Sequence, residues 1–295
     1  MPLARAAARA NLKKIFLRIY HTLIRCARLR PVQVRKAFQV FAEPIPALMY
    51  YVALKGIRSP IRIGLKGGGS YRLEFGDDFL VLWSAWVDEE YPLVGGERVI
   101  FDAGANLGAF ALYAAHTCPR ARVHALEPVA ATFRKLEENL ASAPDASKGG
   151  RITALQAGVA GISGVREIFA AERSPYSSFY AGPSGAAAAG GAGADGAAGV
   201  EQVKVLSLAD WIEAAGVSGQ IDFLKMDCEG AEMETLLGAA PEVLRRFNRI
   251  IFEFHEISGI PYERVADHLS AAGFLCRSCR RDPRSRTGIA RFDRA

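Results

Sequence analysis

From Arg98 onward the chain alternates short apolar runs with amphipathic stretches. The runs Val99–Phe101, Val123–Leu126, Ile152–Leu155, Ile221–Met226 and Ile250–Phe254 predict buried strands. Between them, Leu107–His116, Ala130–Leu140, Leu208–Ala214 and Ala231–Leu237 carry helical patterns. Buried strands separated by helices imply an α/β fold: a mainly parallel twisted sheet with helices on both faces. Ligands of such sheets bind at the carboxyl ends of the strands, where strand order reverses. Asp102, Glu127 and Asp227 each fall at a strand end, so one shared pocket is expected.

The part before Arg98 reads differently. Ile61–Ile63 and Tyr71–Phe75 alternate around a Gly67–Ser70 turn, which predicts a β-hairpin. Phe79–Glu90 reads as a helix forming part of a lid. Residues 1–60 read as a helical extension, 61–97 as hairpin and helix leading into the core, and 98–295 as the main domain. In the extension Leu12, Ile15, Phe16, Ile19, Leu23 and Ile24 recur near helical spacing, with arginine and lysine between them. Such a basic amphipathic helix lies on a membrane surface or packs on the main domain. Residues 181–199 are nearly all alanine and glycine and read as a disordered insertion.

Charge sharpens the reading only locally. Every Asp, Glu, Lys or Arg before Glu43 is basic, and a second basic cluster runs from Arg277 to Arg294. Such clusters attract lipid headgroups, acidic glycans or nucleic acid, or form solvated arms. The five cysteines (Cys26, Cys118, Cys228, Cys276, Cys279) are odd in number and follow no secreted framework. They indicate a reducing, cytoplasmic compartment. Cys276-x-x-Cys279 has no second pair and does not suit a structural zinc. The most apolar early segment, Ala37–Leu54, is broken by Glu43, Pro44 and Pro46 and falls short of the ~20 residues a spanning helix needs. No secretory signal is visible.

The densest chemistry begins at Asp102-x-Gly104-x-Asn106-x-Gly108. Gly104 lets backbone approach a ligand where a side chain would collide. The amides opening the next helix suit a carboxylate or phosphate. A nicotinamide dinucleotide would call for G-x-G-x-x-G, but alignment on Gly104 puts Asn106 at the second glycine, against close pyrophosphate packing. An acid at Asp102 repels phosphate and tolerates a sulfonium cofactor with an amino group. Both points favour S-adenosylmethionine. Glu127, followed by Pro128, suits the two ribose hydroxyls as a hydrogen-bond acceptor. The plainer alternative makes Asp102 a helix cap and Glu127 a turn acid. The second cluster is Ile221–Glu232, where strand alternation aims Lys225 and Asp227 to one side and Gly230 permits a sharp turn. Lys225 reads as a structural ion-pair partner.

At these residues the chain resembles the FkbM family of S-adenosylmethionine-dependent methyltransferases. The resemblance covers Val99 to about Glu256 and rests on Phe101–Gly108, Ala125–Pro128, Val203–Leu208, Asp222–Glu232 and Ile250–His255. The run Lys225-x-Asp227-x-Glu229-Gly230-Ala231-Glu232 is its most specific part. The resemblance implies a Rossmann-like class I methyltransferase fold. It also implies methyl transfer to a hydroxyl of a sugar, glycolipid or secondary metabolite. Ala209 stands where the family often has an acid, with Asp210 one further on, and the alanine–glycine insertion precedes that stretch.

The candidates for general base and acceptor orientation are Asp227, Glu229 and His255, the histidine because a neutral imidazole accepts a proton near pH 7. Asp227, Glu253 and His255 also form a possible divalent-metal set. His21, His116, His124 and His268 read as packing or surface residues. A reading from another class is a non-catalytic nucleoside-cofactor-binding module in a membrane-associated assembly. Nucleic acid is disfavoured as acceptor, since no Asn-Pro-Pro-Tyr-like motif or aromatic stacking surface is present.

Overall fold

The computed structural model describes residues 29–53, 60–67, 69–143, 148–170, 199–256, 259–282 and 286–295. The predicted basic helix up to Arg28, and the alanine–glycine stretch up to residue 198, lie outside the described residues, as do His21 and Cys26. Two helices, α1 (Pro31–Val40) and α2 (Pro44–Ala53), precede the hairpin β1 (Ile61–Gly64) and β2 (Ser70–Leu73) and the helix α3 (Gly76–Trp83). Then follow β3 (Val99–Ala103), α4 (Ala109–Thr117), β4 (Arg122–Leu126), α5 (Ala130–Ala141) and β5 (Ile152–Leu155). The next elements are β6 (Gly158–Val159), β7 (Gly164–Ala170), β8 (Gly199–Leu206), α6 (Leu208–Ala214) and β9 (Phe223–Met226). The chain ends with α7 (Glu232–Gly238), α8 (Pro241–Leu244), β10 (Arg249–His255), α9 (Tyr262–Ala271), β11 (Phe274–Asp282) and β12 (Thr287–Arg294).

The central sheet has seven strands in the order β11-β12-β10-β9-β3-β4-β5. Strands β10, β9, β3, β4 and β5 are parallel, as predicted, and β12 and β11 extend the β10 edge antiparallel. This is the expected Rossmann-like α/β fold. The chain moves outward from β3 through β4 to β5, then returns to β9 on the other side of β3. The order therefore reverses between β3 and β9, where ligands of open sheets bind.

Strand residues alternate between two cores. Ile100, Phe223 and Ile251 join one core, and Phe101, Leu224, Ile250 and Phe252 the other. Helix α4 has apolar residues all round and buries Ala109 through Ala115, as expected of a helix covered on every side. Its cover comes from upstream: Ala37, Phe41, Tyr71, Phe79 and Trp83 belong to the same core. The segment before Arg98 thus completes one layer of the main fold.

The predicted helix over Phe79–Glu90 is two pieces. It starts at Gly76, where the Asp78 carboxylate accepts the N–H groups of Glu74 (2.8 Å) and Phe75 (2.9 Å). From Ser84 to Asp88 it widens into a π turn, a form that frequently marks functional sites, and stops at Glu89 with φ 48°. The small sheet β6-β8-β7 was not predicted; it brings Val159 and Ile168 beside the carboxyl end of β4. Among the described residues, no helix is long and apolar enough to cross a membrane.

Candidate functional site

A cleft of about 850 Å³, counting the space open to solvent, lies at the carboxyl ends of β3, β4 and β9. Its floor is the loop after β3, with Gly104, Ala105 and Asn106. One wall is Glu127, Pro128, Val159 and Ile168, and the opposite wall is Asp227, Cys228 and Glu229. Val81, Ser84, Ala85 and Tyr91, from α3, the π turn and the segment after it, close over it beside Phe110.

The floor is built from backbone. The N–H groups of Gly104 (3.1 Å) and Ala105 (2.8 Å) donate to the Leu126 carbonyl, and Asn106 N–H donates to Glu127 Oε2 at 3.0 Å. Val129 N–H donates to Glu127 Oε1, also at 3.0 Å. These loop amides therefore serve the protein rather than a ligand. Gly104 (φ 73°) is required because the loops after β3 and β9 cross here: a Cβ would sit 1.9 Å from the Asp227 carbonyl oxygen. Gly108 does not line the cleft. A Cβ on it would lie 2.6 Å from Leu136 Cδ1, so it lets α4 approach α5. Asn106 adopts φ 51°, a left-handed conformation that asparagine tolerates better than most residues.

Glu127 keeps free acceptor capacity after these bonds, because each carboxylate oxygen has two lone pairs. Burial raises its pKa to about 7, against the lowering effect of the Val129 and Asn106 N–H groups.

Asp102 corrects an expectation. It lies beneath the floor with none of its surface exposed, and does not line the cleft. Lys225, 4 % exposed, sits opposite it in the β3–β9 register, with Nζ 3.1 Å from Asp102 Oδ1. The same ammonium donates to the carbonyls of Gly104 (2.6 Å) and Ala103 (3.3 Å). Burial pulls Lys225 toward neutrality, but Asp102 and Asp227 outweigh it and hold the ammonium charged. The pair ties two strand ends together, as the ion-pair reading of Lys225 anticipated. Of the three acids expected to share the pocket, Glu127 and Asp227 do so.

The opposite wall is acidic. Asp227 faces the cleft and accepts a hydrogen bond from Tyr91 Oη at 3.3 Å. The Tyr91 ring lies 5.6 Å from Lys225 Nζ and packs edge-on against Phe110. Glu229 takes φ 51° on the turn after β9, and Glu232, fully buried, holds that turn by accepting the N–H groups of Cys228 and Gly230.

His255, the third catalytic candidate, also departs from expectation. Its Nε2 lies 3.5 Å from Glu229 and 3.9 Å from Glu253, and its Nδ1 lies 3.5 Å from Glu232. Burial lowers its pKa, but the three glutamates overcome this and push it up to about 10. That shift favours the imidazolium near neutral pH, the form with no lone pair to take a proton. Among the described residues, no three His, Cys, Asp or Glu side chains are placed to hold a metal. Burial raises Glu229 to about 8 and Glu253 to about 9, with His255 pulling both down and neighbouring carboxylates adding to the rise. Tyr91, Ser84 and Glu90 carried no motif in the sequence. Burial and the Asp227 charge raise the Glu90 pKa, with Arg280 opposing.

The "Methyltransferase FkbM domain" family profile matches residues 102–281 of this chain. The AMB antimetabolite synthetase AmbE of Pseudomonas aeruginosa is 31% identical over 196 residues, 58% of this chain and 9% of that much longer protein. Methyltransferase sdnD of Sordaria araneosa is 32% identical over 55% of this chain and 68% of its own length. The 31-O-demethyl-FK506 methyltransferase FkbM of Streptomyces tacrolimicus is 31% identical over 57% of this chain and 69% of its own.

Proposed function

The chain belongs to the methyltransferase FkbM domain family, and on that premise we propose that it transfers a methyl group from S-adenosylmethionine to a hydroxyl oxygen of a small molecule, sugar or glycolipid. The observation that carries this reading is the single cleft at the β3/β9 reversal, with Glu127 on one wall and Asp227 and Glu229 on the other. These residues fit an adenosyl sulfonium. Glu127 has lone pairs for ribose hydroxyls, Pro128, Val159 and Ile168 give apolar surface to a base ring, and the acidic wall suits positive charge.

When bound, the cofactor supplies a methyl group activated by the sulfonium charge. Asp227 accepts the proton of the acceptor hydroxyl. Glu229, which burial keeps largely protonated at neutral pH, donates a hydrogen bond that orients the acceptor. His255 holds Glu229 and Glu253 in place as a fixed cation. Tyr91 and the π turn exclude water. Positioning of this kind contributes up to about 7–11 kcal/mol in ideal cases, and a general base a further ~10²–10⁴-fold.

Calorimetry with S-adenosylmethionine and with NAD, followed by release of S-adenosylhomocysteine against a panel of hydroxylated acceptors, tests the reading. The double variant Asp227→Asn, Glu229→Gln should bind cofactor and lose transfer. Heat with NAD alone would overturn the cofactor, and full turnover in the double variant would remove these acids from the chemistry.

A second reading concerns location. Val32, Phe38, Ile45 and Met49 on α1 and α2 are 45–66% exposed, near Arg30 and Arg35 in the chain. We infer peripheral contact with an anionic membrane through these exposed side chains. Co-sedimentation with anionic but not neutral vesicles, reduced by Ile45→Glu with Met49→Glu, is expected; equal sedimentation of the variant would remove these side chains from the contact.

A further inference from the structure

The Cys276-x-x-Cys279 pair plays no part in the cleft, yet its geometry is unusual. In a regular strand, residues three apart face opposite sides and lie about 10 Å apart. Here a bulge intervenes: Cys276 pairs with Phe292, Ser278 with Arg291 and Cys279 with Ala290. Phe292 and Ala290 are two residues apart and both fully buried, so they face the same side of the sheet. Residues directly opposite in an antiparallel pair share a face. Both side chains therefore leave the strand on the same side, from backbone positions about 6.8 Å apart by the ordinary antiparallel rise.

A second observation converges on the same spot. Tyr262 Oη lies 3.6 Å from Cys276 Sγ, and the Cys279 thiol also reaches this hydroxyl. Both cysteines are free and exposed on the edge strand. The Arg281 guanidinium lies 5.1 Å from the Tyr262 ring centre and is itself paired with Glu256 and Glu263.

We propose that Cys276 and Cys279 form a two-thiolate site for a soft monovalent d¹⁰ cation, of which Cu(I) is the physiological example. Zinc needs a tetrahedron that two thiolates cannot complete. A soft monovalent ion is satisfied by two sulfurs, and thiolate selects it over harder metals. Side chains rooted at this spacing can lean their sulfurs onto one ion, whereas a disulfide would have to bring the two Cβ atoms to about 3.8 Å. On binding, each thiol gives its proton to solvent and its sulfur forms one bond to the ion. The resulting centre carries one net negative charge, exposed to solvent on the edge strand.

The test is anaerobic titration of the reduced full chain with Cu(I), in competition with a chromogenic Cu(I) chelator. The unmodified chain should hold one equivalent and stay at its unloaded mass in sedimentation. Cys276→Ser and Cys279→Ser should each hold none, while Cys26→Ser keeps the full equivalent. X-ray absorption of the loaded chain should show a shell of two sulfurs. The proposal is overturned if either serine variant still holds the ion, if Cys26→Ser releases it, if loading pairs two chains, or if the shell contains nitrogen.

Discussion

The two walls of the cleft solve different problems. On the Glu127 side the chain supplies its own partners. Both oxygens of Glu127 accept N–H groups, the loop amides are bonded to β4, and the buried Asp102 carboxylate lies against the Lys225 ammonium. On the Asp227 side, Glu229, Glu232 and Glu253 converge on one cation, His255. The first wall is rigid and its substitutions should read out in folding and cofactor affinity. The second gathers several buried titratable groups around one histidine, so its substitutions should read out in pH dependence and rate. A site that receives a constant ligand on one side and removes a proton on the other is served by that division.

The largest effect should come from Lys225→Met. Removing one partner of a buried pair leaves an uncompensated charge and costs about 3–5 kcal/mol. Urea unfolding at constant m should show it. The double replacement Asp102→Leu, Lys225→Met should recover most of that loss, because apolar substitutes for a buried pair are often neutral. A loss under about 1 kcal/mol for the single variant would mean that Asp102 takes up a proton instead of relying on Lys225.

Glu127→Gln should come next. A glutamine has one carbonyl oxygen, so either the Asn106 or the Val129 N–H would face an amide NH₂ group. An unsatisfied buried donor costs about 1–3 kcal/mol. Calorimetry should also show weaker S-adenosylmethionine binding, through loss of acceptor capacity toward the ribose. Unchanged affinity with lowered stability would make Glu127 a loop brace alone.

These two variants also mark where the sequence was readable. Strands buried on both faces read as apolar runs, so β3, β4, β5, β9 and β10 were visible. Strand β11 is almost wholly exposed and basic, so it read as a strand only around Cys276–Cys279 and otherwise as a charge cluster. Acids at strand ends located Glu127, Asp227 and Glu229. Asp102 has the same signature, but its role depends on which residue lies across from it, and the pairing with Lys225 exists only once β9 is placed beside β3. A clue was present: a lysine inside an apolar strand requires a buried counter-ion. The charge state of His255 was hidden because its glutamates come from the turn after β9, the start of α7 and β10. Tyr91 comes from a segment with no periodic pattern, brought to the site by α3 and the π turn.

The acidic wall is sharpened by pH. The folded-state pKa of His255, about 10, lies above its ordinary value of 6.5. Its contribution to stability is therefore complete below pH 6.5 and is lost as pH rises through about 10. Glu229 and Glu253, raised to about 8 and about 9, act in the same direction: their contribution is complete below about pH 4.5 and gone above those values. Stability should thus fall progressively from mildly acidic pH to about pH 10. The advantage of the unmodified chain over His255→Gln should be greatest below pH 6.5 and shrink toward pH 10. An advantage that stays flat with pH would show that His255 is not held as a cation.

The smallest effect, and the finest separation of the two walls, belongs to Tyr91→Phe. Tyr91 touches both: its hydroxyl donates to Asp227, and its ring lies over Lys225. The substitution removes the first contact and keeps the second. A single hydrogen bond is worth about 0.5–1.5 kcal/mol, so transfer should slow by up to about tenfold, with unfolding free energy and cofactor affinity nearly unchanged. Tyr91→Leu would remove the ring as well and should add a loss of stability through Lys225. If Tyr91→Phe and Tyr91→Leu lowered stability equally and left the rate unchanged, the hydroxyl would belong to the rigid wall, and the division between the two sides would have to be redrawn through Asp227.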